Sequence, residues 1–182
     1  MKEGALVYVI AEIGFNHEGD VALAKEMIKA AATAGADAVK FQTFRASDIA
    51  LPTGSHYEAI KCGEMDLGQH QELFRVATDC NVDFLSTPFS PWAVELLETV
   101  GVPAYKVASM DCTNHYLLGY VAQTKKPIYL STGMATLNEI FGSLEFLREK
   151  GSGPVTLLHC LALYPAKAED LNLTIINFLN HL

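Results

Sequence analysis

Short, nearly continuous apolar runs alternate with amphipathic stretches along the whole chain, and this alternation limits the fold more than any other feature. The runs cover residues 5–10, 36–41, 82–86, 104–108, 127–131 and 155–160. Apolar residues at successive positions suit strands buried on both faces, the usual state in a parallel sheet. Between the runs the spacing turns helical. In 21–34, Leu23, Met27, Ala30, Ala31 and Ala34 share one face and Gly35 supplies a stop. In 136–150, Leu137, Ile140, Leu144 and Leu147 line one stripe ahead of Gly151. Further helices are predicted over 67–80, 91–100 and 114–124, with a shorter one from residue 173. The stretch 45–66 carries the turn formers Pro52, Thr53, Gly54 and Gly63 and reads as an insertion after the second strand.

Successive strand–helix units imply parallel strands joined by right-handed crossovers. Two α/β architectures accommodate them: an open doubly wound sheet, or a (β/α)8 TIM barrel. The doubly wound fold announces itself by a glycine-rich phosphate turn after its first strand. Here that segment reads AEIGFNHEG, which is not GxGxxG. Polar side chains instead follow nearly every run, which is how a barrel assembles a site at its C-terminal face. The barrel is the favoured reading. A barrel usually takes about 250 residues, so residues 1–182 are expected to form a single barrel domain with only the first six βα units present.

Composition narrows the function classes. The chain has 13 Lys and Arg against 21 Asp and Glu, a formal net charge of −8. No basic stripe is available to displace counterions from a nucleic-acid backbone, so nucleic acid is not an expected partner. A small anion is still an admissible ligand, because a pocket can be locally basic on an acidic protein. No apolar run approaches the length of a bilayer span, and no membrane partner is expected. Cys62, Cys80, Cys112 and Cys160 lack CxxC spacing and read as reduced, partly buried thiols of a cytoplasmic protein.

The residues with chemical potential sit at the strand ends. Lys40 and Gln42 lie two apart on the second strand and so point the same way, with Phe41 and Thr43 opposite. A lysine inside the apolar AVKFQ is costly unless it is paired or binds an anion, the alternative being a side chain that snorkels to solvent. Lys106 in AYKVAS repeats the pattern. With Thr87, Ser109, Ser131 and Thr132, the two lysines would make a cradle for a phosphate and a carboxylate. Two lysines also permit a Schiff-base aldolase. Glu12 and Asp111 are candidates for general acid–base work, or for salt bridges to a neighbouring lysine. Glu12 is placed just past the first strand. His17 is either a residue at the start of the first helix or a substrate contact. His159 reads as a hydrogen-bonded core residue, and His56, His70, His115 and His181 as loop or helix-surface residues. No Cys/His spacing builds a metal site.

Six segments taken together are family-specific: IAEIGFNHEGD, ADAVKFQTF, FLSTPFS, VPAYKVAS, KPIYLSTGMATLNEI and LLHC-x3-YPA. In this order and spacing the chain resembles the N-acetylneuraminate (sialic acid) synthase family, which includes legionaminate, pseudaminate and spore-coat polysaccharide synthases. The resemblance implies a (β/α)8 barrel that condenses phosphoenolpyruvate with an acylamino sugar such as N-acetylmannosamine, giving a nonulosonic acid and phosphate. It implies phosphoenolpyruvate binding by Lys40, Thr87, Lys106, Ser109 and Ser131, and sugar binding by Gln42 and Tyr164. Glu12 would lie at the reacting centre. A divalent metal, Mn2+ or Mg2+, is implied as cofactor, with its histidine ligands expected beyond Leu182. A homodimer of the full-length protein is implied as well, and the family's antifreeze-like domain has no counterpart in these residues. The family uses no covalent lysine intermediate, which disfavours the aldolase.

Two departures stand out. The family's Ser-Gly-Glu on the fourth strand is Ser109-Met110-Asp111 here, with a carboxylate one methylene shorter and a bulkier neighbour. The polar residue normally found two before the sixth-strand tyrosine is absent from Leu161-Ala162-Leu163. The competing expectation is therefore a non-catalytic fragment or degenerate homologue that retains phosphoenolpyruvate binding.

Overall fold

Pairing partners, not apolar content, decide where the first strand begins. The computed structural model describes residues 7–182. The strand expected over 5–10 instead runs from Ile10 to Gly14, and the first residues of that run lie outside the described ones. The Asp37 carboxylate accepts the Val9 N–H at 2.7 Å. The Val9 carbonyl in turn accepts the N–H groups of Asp37 and Ala38 at 2.9 and 3.2 Å. The parallel ladder starts there, with Ile10 opposite Ala38 and Glu12 opposite Lys40. Glu12 thus lies within the strand, where the sequence placed it beyond.

The remaining elements fall close to their expected positions. In order they are β1 (Ile10–Gly14), α1 (Val21–Thr33), β2 (Ala38–Thr43), α2 (Ala46–Ile49), α3 (Tyr57–Cys62), α4 (Leu67–Asp79), β3 (Asp83–Pro88) and α5 (Pro91–Val100). They continue with β4 (Tyr105–Val107), α6 (His115–Gln123), β5 (Ile128–Ser131), α7 (Leu137–Glu149), β6 (Val155–Leu158) and α8 (Ile175–Leu179). The strands of the parallel sheet follow chain order. The insertion 45–66 is not all turn, since it carries the short helices α2 and α3. Helix starts are written in the sequence. Asp20 caps α1, and Asp66 and Thr136 form reciprocal capping boxes with Gln69 and Glu139.

The chain forms two compact units, described separately. The first comprises the residues up to Thr87 together with Glu95–Pro103. Its core stacks Phe41 on Phe84 at 5.1 Å between ring centres, with Phe74 edge-on to Phe84. Burying such a ring stabilises the fold by roughly 1.5–3 kcal/mol. The α1 face differs from expectation: Ala24 and Ile28 are buried, whereas Leu23 is exposed. Alanines all around this helix blur its periodicity, and packing against α4, β1 and β2 selects the buried side.

His70 is a second correction, because it is fully buried rather than on a helix surface. Its Nδ1 lies 2.8 Å from the Asp66 carbonyl, which can only accept, so Nδ1 carries the proton. Nε2 then accepts from the Thr43 hydroxyl at 2.9 Å, and Thr43 accepts from Ser86 at 2.7 Å. This chain ties α4 to β2 and β3. Burial holds the pKa of His70, and likewise of His17, below the ordinary 6.5. The unfolded chain therefore takes up protons on these residues while the folded chain does not. Stability is expected to be intact above pH 6.5 and to fall as pH drops below it, levelling off at the folded-state values. Thermal melting across this range checks it: His70→Gln should flatten the slope, and an unchanged slope in that variant would contradict the assignment.

The second unit comprises Pro88–Val94 and Ala104–Leu182. β5 pairs in parallel with β4 and with β6. Tyr105, Val107, Ile128 and Leu130 are buried within it, as are Leu117, Leu118 and Val121 of α6. On α7, Ile140 and Leu147 are buried as expected, but Leu137 is exposed and Ser143 is fully buried, donating to the Cys112 carbonyl at 2.7 Å. That donation satisfies the hydroxyl and lets a polar residue occupy a core position.

Candidate active site

In the first unit the structure brings Glu12, Lys40, Gln42 and Thr87 together. Lys40 is buried on β2, and its ammonium forms an ion pair with the Glu12 carboxylate on β1. It also donates to Thr87 Oγ1 on β3 at 3.4 Å. The lysine side chain is 7% exposed and the glutamate 54%, so Glu12 reaches solvent while Lys40 does not. The expected salt bridge to a neighbouring lysine is therefore formed, and Glu12 is not enclosed. A buried ammonium must keep such partners, because leaving it unpaired costs several kcal/mol, on the order of 3–5.

The local backbone makes this arrangement possible. The β1–β2 register slips between Glu12 and Gly14, and Gly14 takes φ +60, a conformation that favours glycine. A side chain at Gly14 would start 3.4 Å from Glu12 Oε1 and 3.8 Å from Gln42 Nε2, which places both polar groups around this turn. His17, just beyond, is fully buried with Nδ1 accepting the Gly19 N–H at 3.1 Å.

In the second unit, Lys106, Ser109, Asp111 and Ser131 occupy the C-terminal ends of β4 and β5. Ser109 opens a 3-10 turn over Ser109–Asp111. Its Oγ accepts the Gly133 N–H at 3.2 Å, which leaves the hydroxyl proton available to a ligand. Gly133 is required there, since a Cβ on it would fall 2.5 Å from the Cys160 carbonyl oxygen. Ser131 is fully buried and its Oγ has no partner among the described residues. Asp111 is buried too: Oδ1 accepts from Asn114 Nδ2 at 3.0 Å, and Oδ2 has no partner among the described residues. Burial pushes the Asp111 carboxyl above its ordinary pKa, against the opposing pull of the Asn114 hydrogen bond and the Lys106 charge.

Other assignments change or narrow. Thr132 does not belong to the cradle, because its hydroxyl donates to the Leu158 carbonyl at 3.0 Å. Tyr164 is 95% exposed in the loop after β6. Met110 is 58% exposed, so most of its bulk lies in solvent. His159 is a hydrogen-bonded residue, Nε2 donating to the Leu171 carbonyl at 2.7 Å. Sequence reasoning missed Asn114 and Gly133 as supports of the site. The Asn at the start of a helical pattern was the available signal for the first, and the Ser-Thr-Gly turn for the second.

Among the described residues no group of three His, Cys, Asp or Glu side chains is placed to hold a metal ion. These residues do not make a metal centre by themselves. No helix among them is long and apolar enough to cross a membrane.

Parallel strands in chain order, each followed by a helix and ending in polar side chains, define an α/β protein of the TIM-barrel class. The crystal structure of N-acetylneuraminic acid (sialic acid) synthetase from Leptospira borgpetersenii, in complex with citrate, superposes with a TM-score of 0.90 at 35% identity. The match covers 97% of this chain and 62% of that one. The model of the NeuB family matches residues 27–182, and the chain belongs to the NeuB family. It is 41% identical to N,N'-diacetyllegionaminic acid synthase of Campylobacter jejuni, over 91% of this chain and 54% of that protein. It is 36% identical to pseudaminic acid synthase of Helicobacter pylori, over 91% of this chain and 53% of the relative. The chain thus spans about half the length of the curated relatives it matches.

Proposed function

We propose that the protein of which these residues form the barrel portion is a nonulosonic-acid synthase. It condenses phosphoenolpyruvate with an acylamino sugar aldehyde. C3 of the enol forms a bond to the aldehyde carbon, and the aldehyde oxygen takes up a proton to become a hydroxyl. Water adds at C2, and phosphate departs by C–O cleavage as C2 becomes the ketone of the product. Lys40, Lys106, Thr87, Ser109 and Ser131 hold the phosphate and carboxylate, lysines as point charges and hydroxyls as directed donors. Asp111 and Glu12 move protons, burial holding the Asp111 carboxyl above its ordinary pKa. Gln42 and Tyr164 face the sugar. A divalent metal, a homodimeric assembly and a cytoplasmic setting belong to the same proposal for the whole protein, as does the absence of nucleic-acid and membrane partners.

The observation that carries this reading is the pair of buried, unpartnered oxygens, Ser131 Oγ and Asp111 Oδ2, in a chain whose relatives are sugar-acid synthases. Buried polar atoms without partners are costly, and a polar ligand relieves them. The Leptospira synthetase structure is a complex with citrate, a carboxylate-bearing anion, which supports this reading. The apolar Leu161-Ala162-Leu163 favours the second reading, a non-catalytic homologue that still binds phosphoenolpyruvate. Phosphate release decides between them, measured on the full-length protein with phosphoenolpyruvate, Mn2+ and a panel of acylamino sugars. Release with at least one sugar is the expected result, and none with any sugar from folded protein would sink the synthase.

A further inference from the structure

Two side-chain hydrogen bonds fix a single orientation of the Asn114 amide. Its side-chain oxygen accepts the Leu117 N–H at 3.2 Å, capping α6. A backbone N–H can only donate, so the oxygen must face the helix and the NH2 must face away from it. That NH2 meets Asp111 Oδ1 at 3.0 Å. The Asn114 backbone N–H donates to the Asp111 carbonyl, also at 3.0 Å, closing the turn on the same residue. Asp111 is thereby gripped at its carbonyl and at one carboxylate oxygen, while the other oxygen is left buried with no partner among the described residues.

We infer that Asn114 is a positioning residue for Asp111: its amide holds the carboxyl in one rotamer and leaves Oδ2 alone to meet the substrate. The inference rests on the proposed role of Asp111 in proton transfer. A helix cap alone requires only an oxygen at this position, and serine or aspartate supplies one equally well. The NH2 is the part that capping does not explain. Donation to Oδ1 also favours the ionised carboxyl against the burial that opposes it, so the same contact sets how readily Asp111 loses its proton. The other charge acting on Asp111 comes from Lys106 on β4, whereas Glu139 of α7 acts on the neighbouring Cys112.

Asn114→Asp separates the two roles. It keeps the capping oxygen and the side-chain shape, and replaces only the donor with a second acceptor that repels the Asp111 carboxylate. In the full-length protein, the carboxyl titration of Asp111 is followed by carbon-13 NMR, with the signal identified through Asp111→Asn. Its pKa is expected to rise by about one unit or more in Asn114→Asp. Asn114→Ser, which keeps a capping oxygen and adds no charge, should raise it by less. It also serves if the aspartate variant fails to fold. The acid–base limb of the phosphate-release profile should move in the same direction. An Asp111 titration unmoved in a folded variant would overturn the inference and leave Asn114 a helix cap. A shifted titration in a protein that releases no phosphate would retain the inference and remove the synthase reading.

Discussion

Lys106→Ala is expected to weaken phosphoenolpyruvate binding by roughly 10- to 150-fold. A charge-assisted contact to an anion is worth about 1.5–3 kcal/mol, and each 1.4 kcal/mol is a factor of ten. The fold should survive the change, because Tyr105 and Val107 on either side are fully buried and hold β4 in place. A second observable follows from the electrostatics. Lys106 pulls the Asp111 carboxyl down against burial, so its loss should raise that pKa further. Isothermal titration with the variant checks the affinity, and Lys106→Arg should recover part of it. Unchanged affinity in Lys106→Ala would remove the residue from the anion site.

Glu12→Gln is expected to lower turnover by about 10²–10⁴-fold, the usual contribution of a positioned acid or base, without weakening phosphoenolpyruvate binding. The sign of the binding effect comes from the ion pair. Glu12 partly neutralises Lys40, and glutamine releases that ammonium to an incoming anion. Affinity should therefore hold or improve while kcat falls. Steady-state phosphate release together with calorimetry separates these quantities. If turnover is unaffected, Glu12 is only the counter-ion that allows a lysine to be buried on β2.

Much of the fold was legible in the chain because it is encoded locally. Asp66 with Gln69, and Thr136 with Glu139, start α4 and α7 through contacts three residues apart. Gly35, Gly101 and Gly151 take positive φ just past helix ends, a conformation that glycine adopts without steric cost. Where information was non-local, the sequence misled. The apolar run at 5–10 has strand composition, but hydrogen bonds to residues 37 and 38 decide that the ladder starts at Ile10. Leu23 is more apolar than Ala24, but it is Ala24 that is buried, because packing of α1 against its neighbours chooses among weak alternatives.

The candidate site divides along the same line. By itself the sequence determined which side chains are available at the strand ends, because period-two alternation sets Lys40 and Gln42 on one face and Thr43 on the other. It determined the family too, since six ordered motifs specify more than any one of them. Only the tertiary structure decided what each group does with its hydrogen bonds. Thr132 is spent on the Leu158 carbonyl, whereas Ser131, its neighbour, is left unpartnered. Glu12 turns to Lys40, and Thr43 holds His70 in the core. The physical reason is that a hydrogen bond between residues distant in the chain has no signature in either residue alone. It exists once the strands bring the two atoms within about 3 Å of each other, and burial then makes any other arrangement costly.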